Sequence, residues 1–383
     1  MIAQSDVLVV GGGIAGLSAA RLLAQGGMAV TLIESGVPGA AATSANAGSL
    51  HAQIPHDPFR TLGADWARRF VPAVRLFIAA LGLWRDLEAA LHADLEIGFG
   101  GGLLVATNDT EMAEIAQKAA IEREAGLQVD LLGRAEIRAL APYLADTAIG
   151  GAFAPAEGKA NPLKLAPALL AAARAAGVKV HSASGTARIA ADGDAYVVQA
   201  GGRAWTAPRV VIAAGSQSGD LAGQLGCPLA IKAVAIQASV TEAVAPLVPH
   251  LVYCAGEKLT LKQSRHGSLL IGGGWDATVD QAGWPQVDPD NLRANLAVAL
   301  HMVPALADVQ LVRSWAAFVN GTDDWLPIIG PLPGHPNAVM CFVPWMGFTG
   351  GPAAAALAAG MLLGKDLLPG VMDASFVPSP SVG

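Results

Sequence analysis

Gly11, Gly13 and Gly16 stand in a G-x-G-x-x-G spacing, and Glu34 follows 21 residues after Gly13. The chemistry open to that pattern is capture of a pyrophosphate and a ribose. Gly11 permits a tight turn, Gly13 lets backbone approach a phosphate, and Gly16 lets a helix pack against a strand. The start of that helix offers N–H groups and the positive end of a dipole to the phosphates. Glu34 can accept hydrogen bonds from ribose hydroxyls. The flanking residues supply the order this chemistry needs. The short apolar run 6–10 precedes the glycines and reads as a buried parallel strand. Residues 17–25 have helical spacing, and 29–33 form a second strand that ends at the acid. The pattern marks a dinucleotide site without separating FAD from NAD.

The elements that must position this site extend over the whole chain. Small residues follow Glu34, from Ser35 through Thr43-Ser44-Ala-Asn46-Ala47-Gly48, and predict a loop lying close to something. Apolar spacing predicts a long helix over 59–95, carrying Trp66, Phe70, Val74, Phe77, Leu81 and Trp84. Its stretch 70–87 reads as core, with a contact surface as the alternative. A strand at 103–106 and helices at 109–126 and 135–140 follow. An α/β pattern returns from Pro162, with a helix over 163–176, a strand at 178–181 and a buried strand running from 209 to Gly215. Strands dominate 229–274, a long strand covers 309–319, and an Ala-rich helix covers 352–363. The expected architecture is α/β: a discontinuous Rossmann-type domain over 1–60, 145–228 and 322–383, and a second α+β, sheet-rich domain over 61–144 and 229–321.

Composition narrows the function. At 53% hydrophobic and 14% charged residues, the chain buries a large core and is not disordered. A length of 383 residues fits two domains. The net charge of -7, with no long basic run, argues against nucleic acid. No charge-free apolar stretch is long enough to span a bilayer, so no transmembrane segment is expected. Cys227, Cys254 and Cys341 lie far apart, which excludes a disulfide framework and a local iron–sulfur site. Eight scattered histidines give no metal-ligand spacing, so no metal is expected. A reducing, cytoplasmic compartment fits this cysteine usage.

Four segments in order resemble the D-amino-acid oxidase/glycine oxidase/sarcosine oxidase superfamily of FAD-dependent oxidoreductases. They are Gly11–Gly16 with Glu34, the loop Thr43–Gly48, Val210-Val-Ile-Ala-Ala214-Gly215, and Gly347-Phe348-Thr349-Gly350-Gly-Pro352. The resemblance implies non-covalent FAD. It places the cofactor against Gly11, Gly13, Ile14, Ala15, Gly16, Glu34, Ser35, Thr43, Ser44, Asn46, Ala47, Gly48, Ala187, Ala214, Gly215, Gly330, Gly347, Phe348, Thr349 and Gly350. It also implies that the start of the Pro352 helix faces the flavin ring, where a dipole favours the negative charge of the reduced ring. Cys341, on an apolar strand, reads as a structural thiol rather than a flavin attachment.

Within the superfamily, Trp315, Thr322, Asp324, Pro327 and Gly330 match a W-A-G-x-x-x-x-T-P-D-x-x-P-I-I-G signature, with Asp323 where proline is usual. The hairpin 259–273 is similar to the β subunits of dye-linked proline, hydroxyproline and opine dehydrogenases. Oxidation of a secondary amine or N-substituted amino acid is implied, by hydride transfer to flavin N5 and hydrolysis of the imine, in a hetero-oligomer whose partner subunits carry further redox centres. The alternatives are a stand-alone glycine or D-amino-acid oxidase and an electron-transfer subunit without turnover. Val319 stands where the oxidases carry an arginine for the substrate carboxylate. His51, Lys262 and Arg265 are the candidates to replace it, against plain readings as a loop histidine, a surface lysine and a turn arginine. Trp345 and Met346 are candidates for the pocket lining, with a core role the alternative.

Overall fold

The computed structural model describes residues 5–379. Residues 1–4 and 380–383, assigned above to the first domain, lie outside the described residues. The run Val7–Val10 is the centre of a six-stranded sheet. Its strand order is Ile328–Leu332, His335–Phe342, Val210–Ile212, Val7–Val10, Val30–Ile33 and Lys179–His181. All neighbours are parallel except the first pair. Side chains on a strand alternate between faces, and both faces here are covered. Val7 and Val9 pack with the helices Ile14–Gln25 and Gly347–Leu363, whereas Leu8 and Val10 pack with Ile189, Tyr196 and Val198 of a three-stranded sheet. That two-sided burial explains why these strands are uninterrupted apolar runs.

The second sheet has eight strands: Leu311–Gly321, Lys232–Ala243, Ser268–Asp276, Thr260–Gln263, Leu251–Cys254, Gly102–Ala106, Gly150–Ala154 and Asp130–Gly133. The strand Gly150–Ala154 corrects the sequence-based boundary at 145. It pairs with Gly102–Ala106, Leu103 opposite Phe153, and so belongs to the second sheet. Local apolar content cannot say which of two sheets a short strand will join. A two-residue pairing of Ser49–Leu50 with Gly158–Lys159 sits apart from both large sheets.

The long helix runs His56–Leu91 with one break, at Gly63 (φ 79°). Phe70, Val74, Phe77, Leu81 and Trp84 are all buried, so the apolar face of the stretch 70–87 is core. The helix predicted to begin at Pro352 begins at Gly347. Proline disfavours a helical residue before it mainly through that residue's Cβ, and Gly351 has none. Among the described residues no helix is long and apolar enough to cross a membrane.

Beneath the long helix lies a buried ion pair. Lys118 Nζ donates to Glu122 Oε1 at 2.5 Å, with both side chains fully buried. Glu122 Oε1 also accepts from the Ile54 N–H at 2.7 Å. Replacing one partner of such a pair leaves the other charge without compensation. Glu122→Gln is therefore expected to cost about 3–5 kcal/mol, read as a lower urea midpoint with an unchanged slope; a loss below about 1 kcal/mol would show that Lys118 is not held as a buried cation.

Candidate active site

The N-terminal fingerprint folds as its residue types require. Gly11 has φ +105°, and a Cβ there would strike the Ala213 carbonyl; one on Gly16 would strike the carbonyl oxygen of Gly11. The glycine turn, the first helix and the end of the strand Val210–Ile212 therefore meet backbone to backbone. Thr43 Oγ1 accepts from the Ile14 N–H at 3.0 Å, fixing the small-residue loop against the helix start. Asn46 holds the loop shape, donating to the Thr43 carbonyl and accepting from the Gly48 N–H, both at 2.6 Å.

Glu34 closes the second strand. Its carboxylate accepts from the N–H groups of Gly12 at 2.6 Å and Gly36 at 2.8 Å, and from the Ser35 hydroxyl at 3.1 Å. Its backbone N–H donates to the His181 carbonyl, which brings the segment leading to Ala187 alongside. These residues fit a dinucleotide. An acceptor carboxylate is held rigidly next to a glycine turn that opens a helix, with Thr43 Oγ1 on the Ile14 N–H beside it.

A cavity of about 700 Å³ opens where the small-residue loop, the start of the helix Gly347–Leu363 and the eight-stranded sheet converge. Asn46, Ala47 and Ser49 bound it on one side, and Trp345, Met346 and Phe348 on another. Val234, Ile236, Ala317 and Val319 give it an apolar wall. Trp315, which lines it too, donates its Nε1–H to the Ala45 carbonyl at 2.7 Å and so locks sheet to loop. Trp345 takes a left-handed φ of 54° and stacks on Trp325 at 4.7 Å between ring centroids. A Cβ on Gly347 would meet nothing within 4 Å, so the backbone there faces open space.

The polar side of the cavity is built on one buried carboxylate. Glu157 accepts from the N–H groups of Ala52 and Gln53, from Gln53 Nε2 at 3.0 Å and from the Tyr253 hydroxyl at 3.1 Å. Tyr253 stacks on His51 at 6.2 Å. His51 is pushed down to about 4 by burial and by Lys262, so its ring is neutral at physiological pH. Lys262 is fully buried, donates to Ser49 Oγ at 2.7 Å, and is itself lowered to about 7 by burial.

The structure sorts the candidates. His51, Trp345 and Met346 line the cavity. Lys262 stands one side chain behind it, reaching it through Ser49, and is not a surface residue. Arg265 is placed elsewhere. It sits in the turn before Ser268–Asp276, about half exposed, paired with Asp94. The turn lies at the far end of the hairpin from the cavity, so Arg265 cannot grip a substrate there. Gly330 is also away from the cavity. Its register opposite Met340 puts it in mid-strand, facing Val377 and Pro378. Asp323, where proline is usual, pairs with Lys232 at 2.5 Å. Sequence reasoning missed Gln53, His56, Arg60, Phe318 and Tyr253, all on the lining. None sits in a recognisable spacing, because folding brings them together from distant segments.

Comparison with known proteins adds the identity of the family. The model of the family described as FAD dependent oxidoreductase (DAO) matches residues 6–361. A glycine oxidase of Geobacillus kaustophilus is 28% identical over 336 residues, covering 87% of this chain and 86% of that protein. One subunit of an opine oxidase, from Rhizobium meliloti, is 27% identical over 348 residues, covering 88% of each. The crystal structure of glycine oxidase from Geobacillus kaustophilus superposes with a TM-score of 0.81 at 25% identity, over 99% of this chain and 100% of that one. The chain belongs to this family: it is an FAD-dependent oxidoreductase, and its cofactor is FAD.

Lys262 gives the site a measurable signature. The unfolded chain holds this proton up to pH 10.5, the folded protein only up to about 7. Between those values the unfolded state binds more protons, so stability rises with pH, and the cost of burial is felt in full below pH 7. Lys262→Met is therefore expected to raise the thermal midpoint over the wild type at pH 7 and to lose that advantage towards pH 10. Parallel curves for the two proteins would show that Lys262 is not depressed.

Proposed function

We propose that this oxidoreductase oxidises a secondary amine or N-substituted amino acid, of proline, hydroxyproline, sarcosine or opine type. FAD, held non-covalently, would supply the hydride acceptor; the carbon beside the amine would give up a hydride and the nitrogen a proton, and the imine would take up water to release a carbonyl product and an amine. The carrying observation is the wall at Val319. The side chain there is apolar and lines the cavity beside Val234 and Ala317, so this wall supplies no charged fork for a free amino acid's carboxylate.

The chain's own residues set the conditions. Burial and Lys262 hold His51 in its uncharged form, and the same conditions act on a substrate ammonium entering the cavity. They favour the neutral amine, the form able to give up a hydride. Trp345 and Phe318 confine the substrate, and confinement of the reacting C–H bond is a large part of catalysis for such a reaction. Non-covalent binding is supported at Cys341, whose fully buried thiol is pushed up to about 12 and carries no thiolate to attach a flavin. The similarity to one subunit of an opine oxidase supports a partner subunit as electron acceptor. The similarity to glycine oxidases supports a second reading, in which oxygen is the acceptor and hydrogen peroxide forms.

One set of measurements separates them: the purified chain, assayed with oxygen and with an artificial acceptor across glycine, sarcosine, proline, hydroxyproline and opines. Faster turnover of N-substituted substrates with the artificial acceptor is expected; rapid oxygen consumption on glycine would establish the second reading. Val319→Arg is expected to obstruct the native substrate without creating glycine activity. Glu34→Ala removes a charged acceptor, worth about 1.5–3 kcal/mol, and should weaken FAD retention ten- to a hundredfold or so as judged by the yellow chromophore lost on gel filtration. Retention equal to the wild type would remove Glu34 from the cofactor site.

A further inference from the structure

The cavity has a second polar end that the oxidation chemistry does not use. His56, the first residue of the long helix, lines it, with its side chain only 7% exposed. Neither Nδ1 nor Nε2 of this buried ring has a hydrogen-bond partner. A buried polar group left unpaired costs free energy, so it calls for a function. Its Nε2 lies 3.5 Å from Glu114 Oε2, an oxygen without a hydrogen bond that also lies 3.5 Å from Arg60 Nε, and Nδ1 has no hydrogen-bond partner.

Two cations bear on the same spot. Lys118 and Arg60 both line the cavity. Together with burial they drive His56 down to about 3, so the ring is neutral, in a field that favours an anion. Arg60 anchors one terminal nitrogen on the carbonyls of Ala255 and Gly256, which fixes its guanidinium at this end. Glu114 and Glu122 balance these charges in part. An imidazole N–H with no acceptor, next to a fixed guanidinium, is a donor set for a carboxylate. The lining also includes His51, Gln53, Ile54 and Pro55, so His51 and His56 bound one continuous space along a single chain segment.

We propose that His56, with Arg60, forms a distal subsite that binds a second carboxylate, carried on the N-substituent of the substrate. This rests on the amine-oxidation reading and deepens it: the subsite selects N-carboxyalkyl amino acids over N-alkyl ones. His56 acts as a specificity residue and touches the far end of the substrate, not the reacting carbon.

The test uses the FAD-loaded protein and two thioethers with no amine to oxidise, thiodiacetate and (methylthio)acetate, which differ by one carboxylate. Titration calorimetry is expected to show the wild type binding thiodiacetate about ten- to a hundredfold more tightly, the worth of one hydrogen bond to a charged group. His56→Ala should abolish the preference, and His56→Gln, which keeps a donor, should retain part of it. In turnover, His56→Ala should lower kcat/KM for N-(carboxymethyl)glycine by a larger factor than for sarcosine. A wild type without preference for the diacid, or a preference that survives His56→Ala, overturns the subsite. Binding preference without turnover of any amine would instead count against the amine-oxidation reading alone, and the wild-type comparison stands even if a variant fails to fold.

Discussion

Thr349 is the knot on which the site depends. It is fully buried. Its hydroxyl donates to the Ser49 carbonyl and accepts from the His51 N–H, both at 3.2 Å. Its own carbonyl accepts from Trp84 Nε1 at 2.9 Å. One residue therefore joins the start of the helix Gly347–Leu363, the segment carrying Ser49 and His51, and the core of the long helix. A buried hydroxyl satisfied on both sides fixes its neighbours far more sharply than apolar packing does, because its directions are specified. The cavity walls on these three elements cannot drift apart without leaving polar groups unpaired.

Glu157 extends the same logic across the cavity. It is fully buried, and burial pushes its carboxyl upward while its donors from Ala52 and Gln53 pull it back. With Tyr253 attached as well, it aligns a cavity-lining segment with the second sheet. The site thus lies against the eight-stranded sheet, with the segment 49–53 held by the Glu157 carboxylate and the Thr349 hydroxyl. Apolar burial supplies the stability of each layer, but it is non-directional. Position comes from the few buried polar groups.

The same segment, 49–56, runs along the polar side of the cavity. Ser49 meets Lys262, His51 stacks on Tyr253, Gln53 binds Glu157, and His56 closes the far end. Its neutral histidines follow from burial beside lysines. A cavity that resists positive charge at both histidines suits an uncharged amine and an anionic substituent, and this couples the proposed chemistry to the proposed selectivity.

The sequence by itself determined what is local. Gly11, Gly16 and Glu34 could be read because a turn, a helix and a strand end within one short segment leave no other residue types workable there. The departure at Val319 was legible for the same reason: one position in a continuous signature reports directly on the wall it lines. Tertiary structure alone decided the rest. Lys262 and Arg265 belong to one hairpin, yet one is buried behind Ser49 and the other pairs with Asp94 in solvent. Strand position and hairpin depth separate them, and neither is encoded in residue type. Gly330 matched its motif but sits in mid-strand, because sheet register is settled by its pairing with Met340 and not by the motif. His56, Gln53 and Tyr253 carry no spacing signal at all. They become a site only when a helix start and a strand of the second sheet close over the same space, and such contacts depend on the packing of whole layers.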